Sequence, residues 1–507
     1  MESQEKIIKI LEENPSGLSI SEIARRIGLH RNTISPNVKQ LVEKNKLKYK
    51  MVGQAKVYYS SDAHSLHGGI KMDKEKNIYI GTGVSKTDDS FQAGKEAAEM
   101  ALKGLDGKKP TISYIFFAGD YDPYKLNEGL KSVLDGTEYV GGSSDAVFFE
   151  DEIMRKGVVI ASIYSNYLHV GIASNDNVSS GPYEVAKKTT VEALDKLSID
   201  KYLDPYLLFT RMRKGSVKWM FKMPSFYVHV FSRGMKLPTM GDETKIIKGV
   251  ADEIGLNIPI WGGSLGNYLE SVFSGKAYEI YMLHSGKVLK DGLVIVVNTC
   301  SLVYGQSIAH SCKRMDKFGF ISKVDGGGYV VSEISEEPAV DWYAKQLNIP
   351  KDEFLKNTMG ITQRYPLGIP DNFGNFIVRG GGVPNQGALA YVAPFVEGWP
   401  VYLMDADPKN LMGTSKEISE DIKHFIPESG TPALGLAFLC ASRRVILQDQ
   451  LKDELKNLKA CFNGMPVIGF SCFGEIGSKP GLPPGFQHMA SNVFTLYDKL
   501  LHEVTGE

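Results

Sequence analysis

What this chain lacks narrows its function first. Only five of its 507 residues are cysteine, and no two form a Cys-x-x-Cys pair. That argues against a disulfide scaffold and fits a reducing, cytoplasmic compartment. No run approaches the ~18 uninterrupted apolar residues of a membrane span, so no membrane partner is expected. The opening residues, MESQEKIIKILEEN, are charged and periodic, unlike a leader. There is no P-loop, no nucleophile elbow and no paired metal motif, so the expectation is a protein that is not an enzyme and needs no cofactor. Net charge is nearly absent too, at −1, so no whole-molecule field draws nucleic acid.

What is present is unevenly distributed. Residues 1–60 hold eleven lysines and arginines against six glutamates, leaving forty-seven basic and fifty-three acidic residues for the rest. A basic module therefore precedes a mildly acidic body. The length exceeds what one core fills, so about two to four domains are expected.

The basic module reads as three helices and a hairpin. Ile7, Ile8, Ile10 and Leu11 form one apolar stripe. Ser19-Ile20-Ser21-Glu22 predicts a capping box at the start of a second helix, and Gly28 its end. A third helix is expected from about Arg31 to Asn45, with Ile34, Val38, Leu41 and Val42 inside. Leu47 to Ser60 alternates around Gly53-Gln54, which predicts a hairpin. The run from Ile20 to Leu29, then Arg31 to Ser35 and the basic hairpin, resembles the winged helix-turn-helix of small prokaryotic transcription regulators. That resemblance implies a double-stranded DNA partner. Arg31 and Asn32 would read guanine and adenine edges. Thr33, Ser35, Asn37 and Lys39 would reach bases or phosphates, and Lys50, Gln54 and Lys56 would set the wing on the backbone. The other reading of these residues is a solvated charged face, or a surface for protein contacts. Pro36 costs little in the first helical turn and kinks the helix if deeper.

The expected domains are 1–62 for the winged helix and 63–77 for a polar linker, followed by a body divided at 320/321. His64 and His67 in the linker have metal-ligand spacing but read as solvated. The expected fold class is α/β (α+β), a layered mixed-sheet body of repeated strand-helix-strand units. One unit is written three times. Strands at Ile112–Phe117, Phe226–Phe231 and Leu434–Leu439 each lead into a helix and a second strand. Each second strand is expected to end in a small-residue turn: Gly141-Gly142-Ser143-Ser144-Asp145, Gly262-Gly263-Ser264, and the stretch carrying Cys472, Gly474, Glu475 and Gly477.

The body resembles the FIST proteins, with an N-terminal and a C-terminal FIST part at 78–320 and 321–507. The residues carrying this are Gly81–Ser85, Tyr139–Ser144, Pro338–Tyr343, Phe438–Arg444 and Val467–Gly477, with Ser491-Asn492 before the last strand. The resemblance implies a small-molecule sensory domain joined to a signalling output, here the winged helix. A ligand-responsive one-component transcriptional regulator is thus expected, acting as a homodimer on paired half-sites.

The expected pocket joins Ser442 and Arg443 on one strand end to Cys472, Gly474 and Glu475 beyond its neighbour. The guanidinium would grip a carboxylate, and Glu475 an ammonium. Backbone N–H groups at Gly142, Ser143, Ser144, Gly263, Ser264 and Gly474 would form an anion nest. An amino acid or another carboxylate suits such a site. The alternative is that Arg443 and Glu475 form a salt bridge that only closes the domain. Two further alternatives stay open. One is a haem- or metal-dependent gas or redox sensor using Cys440, Cys472 and His488. The other is an enzyme acting on a small molecule.

Overall fold

The computed structural model describes residues 2–12, 18–44, 46–52, 55–60, 76–197, 225–235, 242–273, 278–425 and 430–501. The chain divides into two compact units, Met1–Glu75 and Lys76–Glu507. Most of the expected linker lies outside the described residues.

In the first unit, helices Glu2–Glu12, Ile20–Ile27 and Arg31–Glu43 pack over a small sheet of Leu18–Ser19, Leu47–Val52 and Ala55–Ser60. The capping box is present: Glu22 N donates to Ser19 Oγ at 3.3 Å, and Ser19 N to Glu22 Oε2 at 2.8 Å. Gly28 closes the second helix at φ 74°, a left-handed position that suits glycine. Ile7, Leu11, Ile23, Ile34, Val38, Leu41, Leu47 and Tyr58 form the core. Pro36 stands sixth in its helix, beyond the first turn. It cannot supply the N–H that the Asn32 carbonyl would accept there.

The second unit is mixed α/β, and its three copies are related by a closed exchange of strands. The first copy has an outer strand Tyr79–Ser85, a lead strand Ile112–Ala118, an inner strand Tyr139–Ser144, a hairpin Val147–Phe149/Glu152–Met154 and a return strand Gly157–Tyr164. The second repeats this as Leu168–Asn175, Ser225–Ser232, Ile260–Ser264, Met282–His284/Lys287–Leu289 and Leu293–Cys300. The third uses Leu302–Ala309, Pro432–Cys440, Val467–Cys472, Glu475–Gly477/Gly485–Gln487 and Ser491–Leu500. Each six-stranded sheet has one order: hairpin, inner, lead, return, outer. The hairpin always comes from another copy. The second copy's hairpin pairs with the first inner strand, the third copy's with the second, and the first copy's with the third. No copy can complete its sheet alone.

Helix pairs cover the sheets: Ser90–Lys103 with Pro123–Leu134, Pro182–Asp195 with Glu243–Ile254, and Thr414–Phe425 with Leu451–Cys461. The third copy is interrupted after its outer strand by residues 313–405, which form an eight-stranded sheet and three short helices around Trp342, Tyr343, Phe354 and Tyr391. Residues 320 and 321, the expected division of the body, lie inside strand Lys313–Asp325.

Register makes the copies comparable residue by residue. Ile115 faces Gly141, Val230 faces Gly262, and Ala437 faces Gly469, each across a parallel lead–inner pair. The next residue in each lead strand is phenylalanine. Phe116, Phe231 and Phe438 form a triangle with ring centroids 5.5 to 6.0 Å apart, placing one aromatic from each copy at the common core. The small-residue turns expected at Gly141–Asp145 and Gly262–Ser264 are instead strand up to Ser144 and Ser264, and the third inner strand runs on to Cys472. The reason is close approach. A Cβ at Gly141, Gly262 or Gly469 would lie 1.7, 1.8 and 1.7 Å from the facing carbonyl oxygen.

Candidate functional site

On the winged helix, Arg31, Asn32, Thr33, Ser35 and Lys39 are exposed. At 100° per residue, Asn32, Ser35 and Lys39 share one solvent-facing stripe opposite Ile34, Val38 and Leu41. His30, which sequence reasoning did not single out, caps this helix with Nδ1 accepting from Asn32 N at 3.3 Å. Asn37 does not join the stripe. Its Nδ2 donates to Thr33 O at 2.8 Å, and its Oδ1 accepts from Gln4 Nε2 of the first helix at 3.3 Å. Three residues past Ile34 it sits on the flank that the first helix covers. Lys56 lies 4.2 Å over the Tyr49 ring, a cation–π contact that holds the wing's charge in place. Gln54 and the Lys50 side chain lie outside the described residues.

In the body, the inner strands bring the expected residues together, but their donors are used by one another. Ser143 N donates to Tyr281 O at 2.8 Å, Ser264 N to Gly474 O at 2.9 Å, and Ser471 N to Ala146 O at 2.8 Å. These are one bond repeated three times, each from an inner strand to the chain entering a neighbour's hairpin. The side chains follow: Ser143 Oγ donates to Gly266 O, Ser144 Oγ to Ser471 O and Ser264 Oγ to Glu243 Oε1. Gly142, Gly263 and Gly474 are buried with them. The Ser143 and Ser264 amides of the expected nest are therefore spent at a junction between copies, while Ser143 and Ser144 also line a cavity of about 600 Å3 with Asn267, Tyr278 and Tyr281.

Arg443 and Glu475 do not pair. Arg443 stands in helix Ala441–Leu447, fully buried. Its Nη2 donates to Glu454 Oε1 at 2.7 Å and its Nε to Oε2 at 3.2 Å. Nη1 reaches the carbonyls of Met489 and His310, and Nη2 those of Leu411 and the Thr414 hydroxyl. Every donor direction of this guanidinium ends on protein, so it has none for a ligand. The signal that misled was the placement of Arg443 and Glu475 at the ends of neighbouring strands of one unit; the true partner lies eleven residues on, in the next long helix. Ser442 is half-buried and accepts from Gln363 of the inserted region at 3.4 Å.

Glu475 is the exception within the threefold pattern. The register places it where the other copies carry Met282 and Val147. It is fully buried, one oxygen accepting from Ala490 N at 3.2 Å and the other without a hydrogen-bond partner. Burial pushes its carboxyl well above the usual carboxylate range, against weaker opposition from the Ala490 amide, the Cys440 thiol and the Arg443 charge. Cys440 and Cys472 face each other across the third lead–inner pair beside it, and burial likewise raises both thiols. No group of three His, Cys, Asp or Glu side chains among the described residues is arranged to hold a metal. His488 is buried and pushed well below its ordinary value by burial and by Arg379.

A carboxyl held above its unfolded value keeps a proton that the unfolded chain has released. The stability it contributes is complete below the unfolded value and fades as pH rises toward the folded one. Between about pH 5 and 8 the melting temperature of the wild type should fall more than that of Glu475→Gln. The buried histidines act alike in both proteins and drop out of the difference. Parallel pH profiles would refute an uncharged Glu475.

The charged residues that do reach solvent lie just beyond this junction. A cavity of about 1090 Å3 is lined by all three copies: Glu152 and Arg155 from the first, Leu269 and Glu270 from the second, and Arg444, Gln448, Asp449 and Lys452 from the third. Met359 of the inserted region closes one side. Behind the Arg444 wall lies Asp145, fully buried, which follows Ser144 at the end of the first inner strand. Arg444 grips it in a fork, Nε to Oδ2 at 2.5 Å and Nη2 to Oδ1 at 3.0 Å. Leu269 N adds a third bond to Oδ1 at 3.0 Å. Arg444 directly follows Arg443, so the expected guanidinium at a meeting of copies exists one position later. Sequence reasoning missed Asp145, Arg155 and Glu270, although Asp145 borders the Gly-Gly-Ser-Ser motif.

Residues 111–337 match the FIST N domain, residues 339–478 the FIST C domain, and residues 2–48 a winged helix-turn-helix DNA-binding domain. The chain belongs to the FIST proteins. It joins a DNA-binding module to a FIST sensory body, and so is a ligand-sensing regulator in general terms. Among the described residues no helix is long and apolar enough to cross a membrane. No curated protein matches. Among solved structures the chain is similar to a cyanuric acid hydrolase from A. caulinodans, at 11% identity and a TM-score of 0.30, covering 82% of this chain and 99% of that one. A second cyanuric acid hydrolase structure gives 9% and 0.32, covering 83% and 99%. PurLQS from Thermotoga maritima gives 9% and 0.18, covering 85% and 74%. Likeness at this level carries no argument about activity.

Proposed function

We propose that this FIST protein is a one-component transcriptional regulator without enzymatic activity, whose body binds a small molecule in the cavity lined by Arg155, Glu270 and Arg444. The observation that carries this reading is the joining, in one chain, of an exposed Asn32–Ser35–Lys39 stripe to a body whose three copies converge on one charged cavity. A ligand touching residues from all three copies biases how they meet. A coupling of about 1–3 kcal/mol changes DNA affinity roughly 5- to 150-fold. Two half-sites one helical turn apart call for a homodimer.

The test is a promoter footprint with and without a fractionated metabolite extract. A protected, sequence-specific site whose occupancy one fraction changes is the expected result. Asn32→Ala should weaken binding to that site at least about tenfold, the loss of one bidentate base contact. Asn37→Ala should leave it near wild type. Equal losses for both would remove the assignment of the reading face, and an occupancy that no fraction alters would remove the sensor.

A further inference from the structure

Two guanidiniums in the cavity converge on a carboxylate that has little reason to be there for stability. Arg155 Nη2 donates to Glu270 Oε2 at 2.6 Å, and Arg444 Nη2 lies 3.7 Å from Glu270 Oε1. Glu270 is 63% exposed and Arg155 46%, whereas Asp145 beneath them is fully buried and Arg444 only 19% exposed. An exposed pair of this kind adds little to folding. The lower tier is held by three hydrogen bonds away from solvent, and the upper tier is exposed. Leu269 N remains bonded to Asp145 whichever way the Glu270 side chain turns, so the carboxylate can leave without its backbone. Partial burial pushes the Glu270 carboxyl up, but its own backbone amide and Arg155 outweigh that and hold it below the ordinary value.

The charge count specifies what fits. Arg155 and Arg444 carry two positive charges and Asp145 neutralises one. Glu152 is paired with Lys86, and Asp449 stands with Lys452 on the same wall. One positive charge is left for one monoanionic, planar group, and Glu270 supplies it from within the chain. A forked guanidinium pair matches carboxylate geometry. The cavity extends well beyond the volume of one side chain.

We propose that Glu270 is a built-in stand-in for the ligand, and that the small molecule bound by this body carries a carboxylate that displaces Glu270 from between Arg155 and Arg444. The inference rests on the sensor reading above and adds the ligand's class and the residue it must expel. A ligand competing with a resident group binds more weakly by the fraction of sites left open, so removing the competitor tightens it.

The experiment titrates the full chain with succinate, and separately with inorganic phosphate, following binding by calorimetry. Glu270→Gln keeps the shape of the side chain and removes its charge. It should bind succinate roughly five- to tenfold tighter than the wild type, and more tightly than it binds phosphate. Adding Arg155→Ala to Glu270→Gln should abolish the gain, with an unchanged melting temperature showing that the fold is intact. Affinity for succinate that is unchanged or weaker in Glu270→Gln overturns the proposal, as does no measurable binding to either protein. A gain that survives loss of Arg155 overturns it as well, and preference for phosphate overturns the carboxylate class. If these fail while a metabolite fraction still alters DNA occupancy, the stand-in falls and the regulator remains. If no fraction alters occupancy, the regulator reading falls whatever the calorimetry gives.

Discussion

Arg443→Ala is expected to destabilise the FIST body by about 3–5 kcal/mol, the cost of stranding one member of a buried ion pair. Glu454, itself nearly fully buried, would lose both guanidinium bonds and keep only the Ser491 hydroxyl at 2.6 Å. The carbonyls of Leu411 and Met489 would lose the same donor. Those acceptors come from the short helix Pro408–Leu411 after the inserted region, the third copy's helix Leu451–Cys461 and the stretch just before its return strand, so one side chain ties together segments far apart in sequence. Substituting lysine rescues little, because an ammonium cannot reproduce a planar fork that serves both carboxylate oxygens at once. A denaturant titration of the full chain checks this. A wild-type midpoint in Arg443→Ala, with ligand response lost, would return Arg443 to the ligand and overturn its structural assignment.

The second large effect concerns the three glycines opposite Ile115, Val230 and Ala437. Gly141→Ala, Gly262→Ala and Gly469→Ala should each destabilise by about 1–3 kcal/mol or more, since the methyl group meets a backbone carbonyl that cannot turn aside. The three costs should be similar because the positions are equivalent. Gly141 should cost the most, as its φ of 148° also disfavours a side chain. Gly485→Ala, where an added methyl meets nothing within 4 Å, serves as the near-neutral control. Melting temperatures of the four variants decide the matter. If Gly262→Ala and Gly469→Ala behave like Gly485→Ala, the close strand approach in those copies is wrong.

The repeat was legible because each copy needs the same physics: an apolar lead strand, a covering helix and an inner strand with glycine where two strands crowd. Reading those glycines as turns was reasonable from the chain alone. Gly-Gly-Ser-Ser is turn-like by composition, and only the facing carbonyl shows why a strand requires it. Arg443 and Glu475 looked like a pair because each ends an element of one unit. Glu475 in fact faces Cys440 and Cys472, while Arg443 turns toward Glu454.

The amino-acid sequence by itself determined the module order, the basic winged helix with its capping box, and the threefold unit. These rest on local periodicity and capping, which a short window contains. Only the tertiary structure decided that hairpins are exchanged around a ring, that the Ser143 and Ser264 amides are spent between copies, and that the charged cavity is lined by Arg155, Glu270 and Arg444 over buried Asp145. Those facts depend on strand pairings between residues hundreds of positions apart, and no local pattern encodes which copy lends its hairpin to which. The same holds for neighbouring arginines: with Arg443 and Arg444 side by side on one short helix, their opposite fates are set by which face meets buried Glu454 and which meets Asp145.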